Sequence, residues 1–153
     1  SYPELNQTFD GERLTAVDGQ PVGIAVATET NVVLAPILQT AADAGLEELA
    51  SHSRELIGRA RGGQMAVSDQ VPAAITVSNL GMYGVTAFTA MVTPPQVMVL
   101  SVGAVRRIPV FNEAAEVVAR SVITLTLGSD HRVVNGAQAA RFLKAVVAGL
   151  EQN

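Results

Sequence analysis

Few groups in this chain can move a proton near neutral pH. It has two histidines and no cysteine. One histidine, His131, sits in Ser129-Asp130-His131-Arg132-Val133-Val134-Asn135-Gly136, just after an apolar alternating run. A neutral imidazole, with a pKa of about 6.5, can act as a general base at physiological pH. Two readings of His131 stand: a catalytic base, or a structural histidine hydrogen-bonded at a strand end. Ser78 is the second candidate. It ends an apolar run and precedes Asn79-Leu80-Gly81-Met82-Tyr83-Gly84. A serine facing a glycine-containing loop can donate a hydrogen bond into a cleft, although a Ser-Asn pair equally suits a plain turn. The Gly-x-Ser-x-Gly pattern of a nucleophile elbow is missing around Ser78. Gly81 and Gly84 do not make a dinucleotide fingerprint. His52 lies among Glu47, Glu48, Arg54 and Glu55 and reads as a solvated helix residue, while Met82, Met91 and Met98 read as core filler.

The elements that must position these residues follow from periodicity. Arg13–Ala16 and Val22–Ala27 flank Asp18-Gly19, a hairpin signal. Asn31–Leu34 is a short β-branched run. From about Ala44 to Arg61, Leu46, Leu49, Leu56, Ile57 and Ala60 share one helical face. Asp43, Glu47 and Glu48 suit that helix's start, and Arg59 and Arg61 its end. Gly62-Gly63 terminates it. Val67–Pro72 reads as a connector and Ala74–Ser78 as a strand. Val97–Val102 has the continuous apolar character of a strand buried on both faces. Arg106–Phe111 and Glu116–Arg120 predict a hairpin across Asn112-Glu113-Ala114. Val122–Leu127 alternates as a strand does. Asn135-Gly136 makes a turn, and Ala137–Leu150 predicts a helix with Ala139, Leu143, Val146 and Leu150 on one side. The whole is one α/β unit, with a strand leading into His131 and a helix leaving it.

Composition narrows the function. The 153 residues suffice for one domain, and 48% are hydrophobic, so a real core is expected. No apolar run approaches the roughly 18 residues of a membrane span. The net charge is -4 and aromatics are 4%. The small basic clusters at Arg59/Arg61 and Arg106/Arg107 lack interleaved aromatics, so nucleic-acid binding is not indicated. Without cysteine there is no disulfide, thiolate nucleophile or cysteine-bound metal. Two histidines without an HExxH pattern argue against a catalytic metal. Absence of cysteine fits a reducing compartment.

Taken together, the segments become specific. Ile75-Thr76-Val77-Ser78-Asn79-Leu80-Gly81-Met82-Tyr83-Gly84 comes first, then Phe88-Thr89-Ala90, Pro94-Pro95-Gln96 and Leu100-Ser101-Val102-Gly103. Asp130-His131-Arg132-Val133-Val134-Asn135-Gly136-Ala137 and Ala140-Arg141-Phe142-Leu143 follow. This order resembles the catalytic domain of the dihydrolipoamide acyltransferases, the core subunits of 2-oxoacid dehydrogenase complexes. The resemblance spans essentially the whole chain. It implies an α/β fold like chloramphenicol acetyltransferase, a mixed sheet flanked by helices, assembled as a homotrimer with active sites at subunit interfaces. There His131 would face Ser78 of a neighbouring subunit, with Asn135 as a third site residue. Leu100, Ser101 and Gly103 would contact substrate or coenzyme A. Coenzyme A and dihydrolipoamide would be the substrates, the lipoyl group belonging to a domain outside this chain. No metal is implied. The decarboxylase and dihydrolipoamide dehydrogenase components would be partners, in the cytoplasm or, in a eukaryote, the mitochondrial matrix. Acetyl is favoured over branched-chain acyl and succinyl.

The chain departs from the family pattern in three places. The motif usually has aspartate where Asn135 stands; asparagine can still hold a neighbouring loop, without an ion pair. The family's catalytic domain begins well before Ser1, so residues 1–153 read as its C-terminal portion. The ending Gly149-Leu150-Glu151-Gln152-Asn153 is polar, which favours a trimer over a larger cage. A non-catalytic scaffold homologue and an antibiotic O-acetyltransferase of the same fold are the alternatives. The retained His131 argues against the first, and the Ser-Asn-Leu-Gly block against the second.

Overall fold

The computed structural model describes residues 2–30, 32–39 and 44–152. Asn31 and Asp43, expected to open a strand and a helix, lie outside the described residues. In chain order the elements are β1 (Gln7–Phe9), β2 (Leu14–Ala16), β3 (Val22–Ile24), β4 (Val26–Ala27), β5 (Val33–Leu34), β6 (Ile37–Leu38) and α1 (Leu46–Arg61). They continue with β7 (Ile75–Asn79), β8 (Met98–Val102), β9 (Arg106–Phe111), β10 (Val117–Val122), β11 (Leu125–Ser129) and α2 (Gly136–Glu151). No helix among the described residues is long and apolar enough to cross a membrane.

Five strands form a mixed central sheet in the order β11-β8-β7-β3-β6. β3, β7 and β8 run parallel, and the flanking β11 and β6 run antiparallel to their neighbours. This is the mixed α/β architecture expected. β8 lies between β7 and β11, and Met98, Val99, Leu100 and Ser101 are all buried. A strand covered on both faces must read as a continuous apolar run, which is how Val97–Val102 reads. Around it Leu5, Ala74, Val97, Met98 and Val134 form a core, with Phe9, Leu127, Ala139 and Phe142 packed against it. α2 is thereby seated on β11, on the face that carries the core. Its apolar stripe is only half covered, and Leu150 is 58% exposed.

α1 is held at its far end by charge. Arg59 bridges Glu55 at 2.7 Å and the buried Asp69 at 2.8 Å, and Asp69 also accepts the Ala66 amide. The Arg59 guanidinium and the Ala66 amide hold the Asp69 carboxyl below the usual aspartate range. Leu56 and Ala60 are buried. Leu46, expected on the same face, is exposed at the first position of the helix. Gly63, in the left-handed region at φ 68°, ends the helix as expected.

The structure corrects four further expectations. No hairpin forms across Asp18-Gly19; β2 pairs with β1 instead. The Asn6 amide donates to the carbonyls of Val17 and Gly19, tying this bend to the N-terminal segment. The hairpin turn is Asp10-Gly11, where the Asp10 carboxylate accepts the amides of Glu12 and Arg13 and Gly11 takes φ 108°. That conformation is open chiefly to glycine. The single strand expected at Val122–Leu127 is two. β10 ends at Val122 in its hairpin with β9, and β11 starts at Leu125 in the central sheet. Between them the Thr124 carbonyl accepts the Gly103 amide. Met82 and Met91 are exposed and only Met98 is core. Met82 lies in the 3-10 turn Gly81–Tyr83 and Met91 in an irregular segment, neither under a second layer.

Candidate active site

Ser78 lies near the C-terminal end of β7, level with Ser101 of β8 and, one strand further, Thr126 of β11. It is half-buried. Packing fixes its surroundings. The Leu80 amide donates to the Val102 carbonyl, and the Gly81 amide donates to Oδ1 of Asn79 at 2.8 Å. A Cβ on Gly81 would lie 2.9 Å from the Gly103 carbonyl oxygen. A Cβ on Gly103 would run into the Thr86 carbonyl. Two glycines therefore let three stretches of backbone stack closely just past the strand end that carries Ser78. The Ser101 hydroxyl accepts the Ala90 amide at 3.0 Å. Leu100, Ser101 and Gly103 are all buried, so their contacts in this chain are internal.

His131 follows β11 at the other end of the sheet. Ser129 is level with Met98, which is level with Ile75. The Asp130 amide then donates to the Val97 carbonyl, continuing that antiparallel run. From the level of Ser78 to that of Asp130 is four residues along the sheet and two strands across. With about 3.3 Å per residue and 4.8 Å per strand, the separation is roughly 16 Å. That exceeds the combined reach of a serine and a histidine side chain. The two candidate catalytic residues are not brought together within one chain.

His131 is exposed, on a turn clamped from both sides. The amides of Val133 and Val134 donate to the Asp130 carbonyl. Arg132 bonds the Asp130 carboxylate from Nη2 at 2.6 Å and from Nε at 3.0 and 3.2 Å. This holds the Asp130 carboxyl below its ordinary range. The Arg132 guanidinium also sits 4.8 Å from the Phe9 ring centroid. The aspartate next to His131 in sequence is thus engaged by Arg132.

Asn135 is the N-cap of α2. Its Oδ1 accepts the Gln138 amide, and its own amide donates to Oε1 of Gln138, both at 3.0 Å. Satisfying two otherwise orphaned amides in this way fixes the helix start beneath His131. Among the described residues no hydrogen bond uses the Asn135 Nδ2 group. The sequence reads Asn135 as a turn residue and, through the resemblance, as a site residue; the cap is a further role, and Gln138 three positions on is its signal.

Clefts of about 530, 380 and 160 Å³ are lined without Ser78 or His131. The smallest includes His52, exposed as expected, beside Glu55, Arg59 and Asp69. Among the described residues no group of three or more histidines and carboxylates could hold a metal ion.

Comparison with known proteins agrees with this architecture. A family model for the catalytic domain of 2-oxoacid dehydrogenase acyltransferases matches residues 1–153. The dihydrolipoyllysine-residue acetyltransferase component of the pyruvate dehydrogenase complex of Zymomonas mobilis is 35% identical over 143 residues, covering 94% of this chain and 32% of the relative. A probable dihydrolipoamide acetyltransferase from Listeria monocytogenes superposes with a TM-score of 0.88 at 27% identity, over 99% of this chain and 64% of that one. A dihydrolipoamide acetyltransferase structure from Azotobacter vinelandii gives a TM-score of 0.83 at 33% identity, over 94% and 59%. That work concerned the role of a serine, a histidine and an asparagine in its catalytic mechanism. The chain spans about a third of the length of the curated relatives it matches.

Proposed function

The chain belongs to the 2-oxoacid dehydrogenase acyltransferase catalytic-domain family, and on that premise we propose that it transfers an acyl group between dihydrolipoamide and coenzyme A at a site shared by two subunits. The observation that carries this reading is the separation of Ser78 and His131 at opposite ends of one sheet. Two exposed or half-exposed groups that cannot meet in one chain can meet across an interface between copies. The Azotobacter vinelandii protein supports the assignment. Its histidine and asparagine stand four positions apart, as His131 and Asn135 do, and its serine precedes the histidine by 52 residues against 53 here.

The chemistry follows from the groups. A free thiol has a pKa near about 8.5, so little of it is thiolate at neutral pH. His131 takes the thiol proton as sulfur attacks the thioester carbonyl and a new C–S bond forms. The tetrahedral oxyanion accepts a hydrogen bond from Ser78 of the neighbouring subunit. Collapse breaks the old C–S bond, and the departing sulfur recovers the proton from the imidazolium. No acyl-enzyme is formed, in keeping with a serine that lacks an elbow. Asn135 holds the start of α2 and, through a side chain that can both donate and accept, a neighbouring loop. Leu100, Ser101 and Gly103 shape the floor under Ser78 and through it the coenzyme A channel. Acetyl is the favoured acyl group. A one-methylene difference is worth only about 1–3 kcal/mol in such a pocket, so rates on acetyl-, isobutyryl- and succinyl-coenzyme A assign it.

The decisive experiment mixes two inactive variants. Ser78→Ala and His131→Ala proteins are each assayed with acetyl-coenzyme A and dihydrolipoamide, then co-assembled. In a cyclic trimer formed from an equal mixture, about a quarter of interfaces pair an intact His131 with an intact Ser78. Regain of about that share of wild-type activity is the expected result. No regain in a mixed trimer places both residues in separate or single-chain sites and overturns the reading. A folded wild-type trimer without transfer activity indicates a scaffold instead. Light scattering that gives a trimer mass supports the assembly, and a larger cage rejects it.

A further inference from the structure

His131 has no side-chain hydrogen bond among the described residues, and its sequence neighbour Asp130 is engaged elsewhere. A general base is ordinarily oriented by a third group bonded to it. Within one chain, what is left to orient the imidazole is the backbone turn that carries it. We propose that Arg132 is a positioning residue for His131, locking that turn by joining the Asp130 carboxylate to the Phe9 ring. The proposal rests on His131 being the base.

The lock spans three elements. Asp130 is tied to the buried core through its amide bond to the Val97 carbonyl, and its own carbonyl accepts the amides of Val133 and Val134. Arg132 reaches back over His131 in sequence to the Asp130 carboxylate. Its backbone amide adds a fourth bond, to Oδ1 at 3.0 Å. The guanidinium carbon then sits over the ring of Phe9 of β1, whose amide donates to the Pro95 carbonyl at 2.7 Å. The residues on both sides of His131 are therefore fixed to each other and to the first hairpin. Arginine suits this place because its planar fork grips a carboxylate with two nitrogens while its face stacks on an aromatic ring. Lysine supplies the charge without the fork or the stacking face.

Arg132→Gln, Arg132→Lys and Phe9→Leu, made in the full trimer beside His131→Ala, test the assignment. A displacement of about 1 Å in a catalytic group can cost up to about 100-fold in rate. Arg132→Gln is expected to lower kcat at least tenfold, with KM for coenzyme A and dihydrolipoamide within twofold and the melting temperature little changed. Arg132→Lys recovers part of that loss. Phe9→Leu loses less, and combined with Arg132→Gln it adds little, because both act through one contact. In NMR spectra of ring-labelled histidine, the His131 signal shifts or broadens in Arg132→Gln while that of His52 stays. Unchanged kcat and an unchanged His131 signal overturn the proposal. So does a KM for coenzyme A that rises while kcat is kept, which makes Arg132 a substrate contact. Full turnover in His131→Ala sinks the base reading instead, and the imidazole signal still decides the lock. Should Arg132→Gln not fold, Arg132→Lys carries the same two readouts.

Discussion

The two ends of the central sheet are built on different physics. At the Ser78 end, position is set by shape. Gly81 and Gly103 let backbone stack on backbone, and the surrounding bonds are between neutral groups. At the His131 end, position is set by charge and by a helix cap, through the Asp130–Arg132 pair and the reciprocal bonds between Asn135 and Gln138. A close-packed region fails when a methyl group is added; an ion-paired turn fails when a partner is removed. In the proposed mechanism the oxyanion donor, Ser78, sits on the first kind of support and the proton acceptor, His131, on the second.

Breaking the chemistry gives the largest expected effect. His131→Ala should lower kcat by about 10²–10⁴, the usual worth of a general base. Ser78→Ala should cost on the order of 10²–10³, the worth of one oxyanion donor. Steady-state rates with saturating acetyl-coenzyme A measure both, and equal effects at both positions would erase the contrast in roles.

Gly103→Ala probes the packed end. The added methyl meets the Thr86 carbonyl, which is backbone and cannot swing aside. Overpacking of this kind costs about 1–3 kcal/mol. Thermal melts should show the loss, and the Ser78-dependent part of the rate should fall while the His131 NMR signal is kept. A neutral result would show that the glycine stack is not what holds Ser78.

Acid separates local from global charge. Arg132 and Arg59 hold Asp130 and Asp69 below the ordinary aspartate value. Each carboxylate therefore contributes stability above about pH 3.9, lost as pH falls through its lowered value. Asp69→Asn should lower the melting temperature at pH 7 and flatten its decline below pH 4, leaving neutral-pH kcat unchanged. A changed kcat would link the α1 ion pair to the site.

Asn135→Asp should have the smallest effect. Aspartate caps a helix about as well as asparagine, so kcat within about threefold of wild type is expected. Asn135→Ala should cost about 1 kcal/mol of stability by unmaking the cap. Abolished turnover in a folded Asn135→Asp protein would mean that the Nδ2 donor, and not the cap, is what the site needs.

Much of this was legible in the residues. The largely apolar run of β8, the helical stripe of α1 and the turn between β9 and β10 each carry their own local signature. The first hairpin was misplaced because the chain holds two Asp-Gly pairs, and only contact with Asn6 takes the second one out of use. Met91 was misjudged because apolar character does not say whether a second layer exists above it.

By itself the sequence determined the chemistry available, a strand before His131 and the helix after it. Tertiary structure alone decided that Ser78 and His131 lie at opposite ends of the sheet. The physical reason is strand direction. β7 and β8 run parallel while β11 runs antiparallel, so the chain end of one strand is level with the chain start of the other. Direction depends on pairing with distant segments, which no local pattern encodes.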